Sequence, residues 1–493
     1  MKKLTIGLCL AAMVLTCAPV LAQDNPLPMG APMGGNNRPH TYSVPYIFGD
    51  GSLVGVKWKV QLDVAPYSTR RNAWHNITFD ENGGLYFRGA PNAAVTDYGI
   101  HKVDSATGQR LWYNPAVADT AFSTGSAIVG QDYVYAARYD PANPTVYALN
   151  KATGAVVWES AALPMEVGLN MALYDGVLYG TTQRDANGNN HAFAISAATG
   201  AIMHVTPYAT SMDNAYYNMA FAPDVFGEGE HGMYWLHNDN GGLGEAIYGI
   251  SISAASAGKV WSSTPIRAYA SNVIYNPETN AVYALHWADY GTSVESYDPV
   301  TGTIRWTAAP NGDPNLGFPG GFNGGYYTTH TLKADGSGFI FGGFGHDVYS
   351  VTDPGDLGGA ALTMNANGDW YFDGLDTLGE SSSCAVLVMD PTTGNEVYIS
   401  GTLGTDPDAR RLYALDAQTG AQLWEWIPPG DPSPYGGFSF RGLSVGPDGT
   451  LYYFNADEGP QGTLYAIGVI PEPGVMALFG FGLLALLGLR RKK

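Results

Sequence analysis

Tyr147-Ala148-Leu149-Asn150-Lys151-Ala152-Thr153-Gly154, closed four residues later by Trp158, is the stretch on which the fold turns. Tyr-Ala-Leu alternates large and small residues, the pattern of a strand with two unlike faces. Thr153-Gly154 then makes a tight hairpin: Gly supplies a positive backbone angle, and Asn150 is placed to bond the turn's amides. A second strand follows and ends in Trp158, whose large ring fills space between neighbouring sheets.

The phrase returns. Tyr413-Ala414-Leu415-Asp416-Ala417-Gln418-Thr419-Gly420 runs on to Trp424, and weaker copies begin at Val103 (ending Trp112), Phe193 (ending near Met203), Tyr248 (ending Trp261) and Ser296 (ending Trp306). Upstream of each copy lies another hairpin, as in Leu173-Tyr174-Asp175-Gly176-Val177-Leu178-Tyr179 or Ser444-Val445-Gly446-Pro447-Asp448-Gly449-Thr450-Leu451-Tyr452. Two hairpins make four strands, and a period of about 45 to 60 residues is that of a propeller blade or a solenoid unit. The units fall near 74–112, 123–158, 169–204, 216–261, 271–306, 326–370, 383–424 and 439–468. In the sixth, Gly343-Phe344-Gly345-His346-Asp347-Val348-Tyr349-Ser350 fits a central hairpin, but Thr-Gly and the closing Trp are missing. The eighth has three strands of its own. Its fourth is expected from Val54-Gly55-Val56-Lys57-Trp58-Lys59-Val60, with Trp58 in the closing place. The expected fold is therefore all-β: an eight-bladed β-propeller of four-stranded antiparallel blades, its ring closed by an N-terminal strand so that no broad sheet edge is left open. Seven blades, with the sixth unit an insertion, is the alternative.

The phrase Tyr-Ala-Leu-Asp-x-x-Thr-Gly-x-x-x-Trp resembles the repeat of the PQQ-like (quinoprotein-type) β-propeller superfamily over nearly the whole mature chain. That superfamily includes quinone-dependent dehydrogenases and also non-catalytic members such as the propeller lipoprotein of outer-membrane assembly, so fold does not settle function. The dehydrogenases hold PQQ against calcium, with an adjacent Cys-Cys pair on the ring and an aspartate base. This chain has no adjacent cysteines and no Asp/Glu/Asn trio matching the metal ligands, so no cofactor is expected.

Other chemistry is equally thin. The sequence has no Gly-x-Ser-x-Gly elbow on a strand-to-helix turn, no His-Glu-x-x-His helix and no phosphate-cradling loop before a helix. Glu228, Glu230, His231, His237 and Asp239 are ligand types, but Gly227, Gly229 and Gly232 among them mark an exposed loop, and no metal site is expected. Asp185, Asn187 and Asn189 imitate a calcium loop in spacing, yet Gly188 fits a solvated hairpin tip better.

Position in a propeller points further than any motif. The first strand of each blade lines the central channel, and its starting end joins the loops of one mouth. The residues expected there are His75 and Asn76, Thr124 and Ser126, Asn170, Asn218, Ser271 and Asn272, His330, Ser383, and Arg441. His75, Asn76, Asn170, Asn218, Asn272, His330 and Arg441 are the candidate ligand-binding set: amide, imidazole and guanidinium groups suited to a polyhydroxylated or anionic ligand. Polar residues that only line a watered channel are the plainer reading. Tyr326, Tyr327 and Phe322, with Tyr435, Phe438 and Phe440, are expected as aromatic rims that stack on sugars or pack between blades.

The two ends frame this array. Lys2-Lys3, an apolar run from Leu4 to Leu15 and Val20-Leu21-Ala22 read as a secretory signal cleaved after Ala22. Residues 23–50, rich in Pro, Gly and Asn, read as a linker without a fold of its own. The propeller takes 51–469 and a tail takes 470–493. Pro471-Glu472-Pro473, the apolar run Gly474 to Leu489 and Arg490-Arg491-Lys492-Lys493 resemble the PEP-CTERM sorting signal of Gram-negative bacteria. The resemblance implies a short membrane helix holding the precursor in the inner membrane, cutting by an exosortase, and release to the surface or matrix; an ordinary C-terminal anchor is the alternative.

Removing both ends takes Lys+Arg from 24 to 18 and Asp+Glu from 44 to 43, a mature charge of about −25. Nucleic acid, which needs a basic face, is not an expected partner. Cys9 and Cys17 lie in the signal, so Cys384 alone remains and no intramolecular disulfide forms. The expected function is an exported surface or matrix scaffold, non-catalytic, binding an exopolysaccharide or a protein partner. The alternative is an enzyme of the channel mouth, a diverged quinoprotein dehydrogenase or a hydrolase or lyase with His75 or His330 as base.

Overall fold

The computed structural model describes residues 41–45, 47–48, 51–61, 77–89, 99–117, 127–138, 140, 142–210, 219–238, 245–263, 273–288, 291–308, 330–333, 335–342, 348–362, 369–372, 379–390, 393–404, 412–427, 441–455 and 463–470. In chain order the strands are β1 (Thr41–Pro45) and β2 (Val54–Gln61), then blade by blade. Blade one holds β3 (Thr78–Phe79), β4 (Gly84–Gly89), β5 (Gly99–Asp104) and β6 (Arg110–Asn114). Blade two holds β7 (Ile128–Val129), β8 (Tyr133–Ala137), β9 (Val146–Asn150) and β10 (Val156–Glu159). Blade three holds β11 (Val167–Tyr174), β12 (Val177–Thr182), β13 (Asn189–Ser196) and β14 (Ile202–Thr210), and blade four β15 (Ala220–Gly227), β16 (Glu230–Asn238), β17 (Glu245–Ile252) and β18 (Ala257–Ser262). Blade five holds β19 (Val273–Asn276), β20 (Ala281–Ala288), β21 (Gly291–Tyr297) and β22 (Ile304–Ala308). Blade six holds β23 (His330–Leu332), β24 (Gly338–Gly342), β25 (Val348–Thr352) and β27 (Trp370–Phe372), with β26 (Ala360–Ala361) set between its last two strands in sequence. Blade seven holds β28 (Gly379–Met389), β29 (Glu396–Gly404), β30 (Leu412–Asp416) and β31 (Gln422–Trp426), and blade eight β32 (Arg441–Val445), β33 (Leu451–Asn455) and β34 (Thr463–Val469).

Eight sheets follow, each built on a four-stranded antiparallel meander, two of them with a fifth strand added in parallel, and β2 completes blade eight by pairing with β34 (Val54↔Val469 to Gln61↔Thr463). The eight-bladed propeller closed by an N-terminal strand is thus the observed architecture. The core is not one mass but a set of seams. Leu173, Leu178, Phe193 and Ile195 of blade three pack on Tyr135 and Ala148 of blade two, while Tyr179, Ala192 and Ala194 on the opposite face meet Phe221, Met233 and Trp235 of blade four. Inner strands are buried on both faces; outer strands such as β10 leave Val156 and Val157 in solvent.

A ring of indole contacts fastens the seams. Five closing Trp residues donate their Nε1–H to a carbonyl in the last hairpin of the next blade: Trp58 to Ser105 at 2.9 Å, Trp112 to Lys151 at 3.1 Å, Trp158 to Ala197 at 3.1 Å, Trp261 to Pro299 at 2.9 Å and Trp370 to Ala417 at 2.9 Å. The hairpin Gly lets the ring approach. At Gly200, with φ of +73°, a Cβ would lie 2.5 Å from Trp158 Cε3, so both the turn and the contact need Gly. The Asn150 carbonyl side chain accepts the amides of Ala152 and Thr153 at 3.0 Å each, and Asp104, Asp298 and Asp416 repeat the bond at their own turns.

Four features depart from the regular repeat. The sixth blade does have its closing Trp, which is Trp370; it lies seventeen residues after Asp353 because a long connection separates β25 from β27 and hides the spacing. In the third blade the closing position belongs to His204, paired with Ala194 as Trp158 is with Ala148, and its Nε2 meets Ser253 O at 2.9 Å. Between blades five and six the acceptor is a side chain, Asp353, whose carboxylate takes the indole of Trp306 at 2.9 Å and the hydroxyl of Tyr283. Finally, the linker 23–50 is not wholly without structure. β1 pairs in parallel with β28, Phe48 is buried against Trp424 with ring centroids 5.5 Å apart, and Gly51 packs against Trp424 where other blades use their hairpin Gly.

Candidate functional site

Within a four-stranded meander, strands one and two turn at the end where strands three and four also turn, the hairpin end. The connections from strand two to three and from blade to blade lie at the other, the mouth. Of the candidate mouth residues, His330 opens β23 opposite Phe341, Arg441 opens β32 opposite Phe454, and Asn170 lies in β11 where the register slips between Val167 and Met171. Register also slips in β28 between Ser381 and Ala385, around Ser383 and Cys384. Bulges at the starting ends of inner strands re-aim side chains and are frequent beside binding sites. His75, Asn76, Asn218 and Asn272, with Thr124, Ser126, Ser271 and the aromatic residues Phe322, Tyr326, Tyr327, Tyr435, Phe438 and Phe440, lie outside the described residues.

A polar cluster at the mouth end of blade three was not foreseen. The β12–β13 ladder runs from Val177↔Ser196 to Thr181↔Ala192; two residues further it sets Gln183 across from Asn190, on the face that carries Tyr179 toward blade four. Gln183 is held there by its backbone N–H, which donates to Glu166 O at 2.7 Å. Asn190 donates its Nδ2 to Thr182 O at 3.2 Å. Gln183 is 2% exposed and Asn190 0%. Nevertheless Gln183 Oε1, Gln183 Nε2 and Asn190 Oδ1 have no hydrogen-bond partner among the described residues. Leaving such groups unmet costs about 1–3 kcal/mol each, so the place calls for water or a polar guest.

Its surroundings are aromatic and weakly charged. Tyr208, in the bulge of β14, meets Trp235 edge-on at 5.2 Å and hydrogen-bonds with Thr181; burial drives its phenol well above the ordinary range. His191 lies 3.7 Å from Asp185. Burial holds this imidazole below its usual value, with Asp185 pulling the other way. Asp185 itself is held low chiefly by the backbone N–H of Asn189; its Oδ1 accepts Asn187 and Asn189 N–H at 2.8 Å each, which makes Asp185–Asn189 a self-satisfied turn. The only sequence signal for the cluster was its run of amides and hydroxyls, Thr181-Thr182-Gln183 and Asn189-Asn190, which a strand-end reading treats as solvent-facing.

The acidic group of blade four separates. Glu228, Glu230 and His231 sit at the hairpin end of β16, whereas His237 lies six residues on, about 20 Å along the strand. Buried His231 packs against Tyr174, Tyr179 and Phe221, and its Nδ1 accepts the Asp224 N–H at 3.1 Å. Among the described residues no three His, Cys, Asp or Glu side chains gather as metal ligands. Nor does the sequence fit a PQQ–calcium site: Cys384 has no adjacent cysteine to make the disulfide platform.

Residues 96–218 match the family described as outer membrane protein assembly factor BamB, and residues 469–492 match the PEP-CTERM protein-sorting motif. No curated protein matches the chain. Among solved structures it is similar to the quinohemoprotein alcohol dehydrogenase ADHIIG of Pseudomonas putida HK5, at 12% identity over 90% of this chain and 82% of that one, with a TM-score of 0.56. The quinohemoprotein alcohol dehydrogenase of Comamonas testosteroni is similar at 14% identity, with the same coverage and TM-score. At such identity the likeness is one of fold. The sorting motif marks an exported protein of a Gram-negative bacterium, made as a membrane-anchored precursor and recognised by an exosortase. Residues 96–218 thus form a BamB-like PQQ repeat domain within the propeller, and the C-terminus carries a PEP-CTERM sorting motif.

Proposed function

We propose that the mature protein is a non-catalytic scaffold of the cell surface or extracellular matrix whose mouth end binds a hydroxyl-rich ligand, exopolysaccharide foremost. The observation that carries this reading is unspent hydrogen-bonding capacity at that end. The Gln183 amide and Asn190 Oδ1 are buried without partners among the described residues, and His330 and Arg441 begin inner strands at the same end. Amides, imidazole and guanidinium together supply paired donors and acceptors for hydroxyls. The acidic body, about −25, favours neutral glycans over anionic ones except where Arg441 stands.

A glycan array probed with the propeller cut at its sorting box is the test. Binding to a neutral matrix polysaccharide, weakened at least tenfold by Arg441→Ala together with His330→Ala, is the expected outcome. A chain that binds no glycan and draws no partner from its native matrix would end this reading. Turnover of a polysaccharide or, with added quinone and calcium, of an alcohol, lost in His330→Ala, would replace it with the enzyme reading.

A further inference from the structure

The N-terminal strand β1 lies where a propeller needs no strand. β28 is the first strand of blade seven, in touch with β23 and β32, the first strands of its neighbours, so its free edge faces the channel. β1 takes that edge in parallel, with Thr41↔Leu387, Tyr42↔Val388 and Pro45↔Met389. One strand spacing, about 4.8 Å, therefore separates β1 from the wall on its axial side. The pairing falls on Leu387–Met389, the last three residues of β28, so β1 sits at the hairpin-end rim.

This attachment is slight beside the one that follows it. The register slips between Tyr42 and Pro45, Pro39 and Pro45 bracket the strand, and neither proline offers an N–H. Three residues after Pro45 the chain is fixed firmly: Phe48 is 3% exposed, Gly51 packs on Trp424, Val54 N–H meets Gly51 O at 3.1 Å and Ile470 N–H meets Leu53 O at 2.9 Å. β1 can leave its edge while the ring closure at Phe48–Gln61 stays intact. The edge it leaves presents backbone donors and acceptors at a rim, which is what an extended peptide pairs with.

We propose that β1 is an exchangeable strand, and that the channel edge of β28 takes the Thr41–Pro45 segment of a second copy of this chain. The occupant is argued from the structure itself: the one sequence this edge is seen to hold, in one register, is that segment, and every copy carries one. A sorted precursor concentrated at a membrane supplies partners at high local density. Exchange in both directions links two propellers hairpin end to hairpin end, away from the mouths.

The test uses the full mature chain and a fluorescent peptide of residues 38–46. In the Thr41→Pro/Tyr42→Pro chain, which cannot fill its own edge, amide exchange at Leu387–Met389 is expected to rise at least tenfold while β8 and β9 stay protected. That chain is expected to bind the peptide at least tenfold more tightly than the wild type, and a peptide carrying the same two prolines to bind neither. Wild-type chain is expected to form a dimer as concentration rises, dispersed by excess peptide and absent in the double-proline chain. Unchanged exchange at Leu387–Met389, no peptide binding by the variant, or a wild type monomeric at every concentration overturns the proposal. Should the prolines disturb folding, a protease site inserted between Tyr46 and Ile47 and cut after folding gives the same readings. Glycan binding is not involved, so its presence or absence leaves this result untouched.

Discussion

Two junctions of the ring do the same task with different chemistry. Between blades two and three, Trp158 is partly exposed, sits on Gly200 and bonds a backbone carbonyl. Between blades five and six, Trp306 is fully buried and bonds the Asp353 carboxylate, which also takes Tyr283 and the Gly355 N–H and lies 3.6 Å from Arg305. The first junction is written in the repeat and tolerates solvent. The second replaces a turn with one buried charge, met on every side, and the connection after Asp353 reaches back to lay β26 beside β22, Trp306↔Ala360 and Thr307↔Ala361, covering the outer edge of blade five.

Removing the two indoles should break this comparison open most widely. Trp306→Ala is expected to cost about 3–5 kcal/mol by denaturant unfolding, as a wholly buried aromatic leaves a cavity and an unmatched carboxylate. Trp158→Ala should cost roughly half as much, since its ring already meets water. Equal losses would mean that the carboxylate junction adds nothing. Next comes Gly200→Val: the positive φ costs roughly 1–2 kcal/mol, and displacement of the Trp158 ring adds to it. Intrinsic fluorescence red-shifted at unchanged blade-four stability would place the damage in the one seam. Asp353→Asn, of the same size but able to accept from Trp306 while facing Tyr283 and Arg305 without charge, should cost about 1–3 kcal/mol, and its thermal midpoint reads it directly.

The same contrast explains what could be read from sequence. Gly154 and Gly420 each stand four residues before the Trp that closes their own blade, a hairpin-to-strand spacing any blade can repeat, whereas the Trp that packs on each Gly comes from the blade before. Trp370 escaped because its distance from Asp353 is set by an insertion rather than a turn. His204 escaped because imidazole Nε2 replaces the indole bond without resembling Trp in composition. β1 was invisible for a different reason: five residues between prolines carry no signal of their own, and only pairing with β28 makes them a strand. The sequence places His330 and Arg441 at the starts of inner strands, where β23 and β32 begin, whereas the burial of Gln183 and Asn190 is set by packing that no local pattern records.

Acid should sharpen the comparison by a smaller amount. Burial holds the imidazoles of His191 and His231 below their ordinary value, with Asp185 and Asp224 opposing it. A ring whose folded value is lowered is protonated first in the unfolded chain, so the unfolded state binds more protons as pH falls below about 6.5. Stability from these two groups is therefore full above that pH and declines through the window between the unfolded and the folded values. His231 carries the stronger case, because its Nδ1 accepts the Asp224 N–H and protonation would turn that acceptor into a donor facing a donor. Thermal midpoints measured from pH 7.5 to 5 should fall in the wild type and fall less in His231→Gln, whose amide oxygen can accept the same N–H without titrating. Equal slopes would mean that the ring turns to pair with Asp224 when it gains a proton, and that the hairpin end of the seam between blades three and four yields where the Asp353 junction does not.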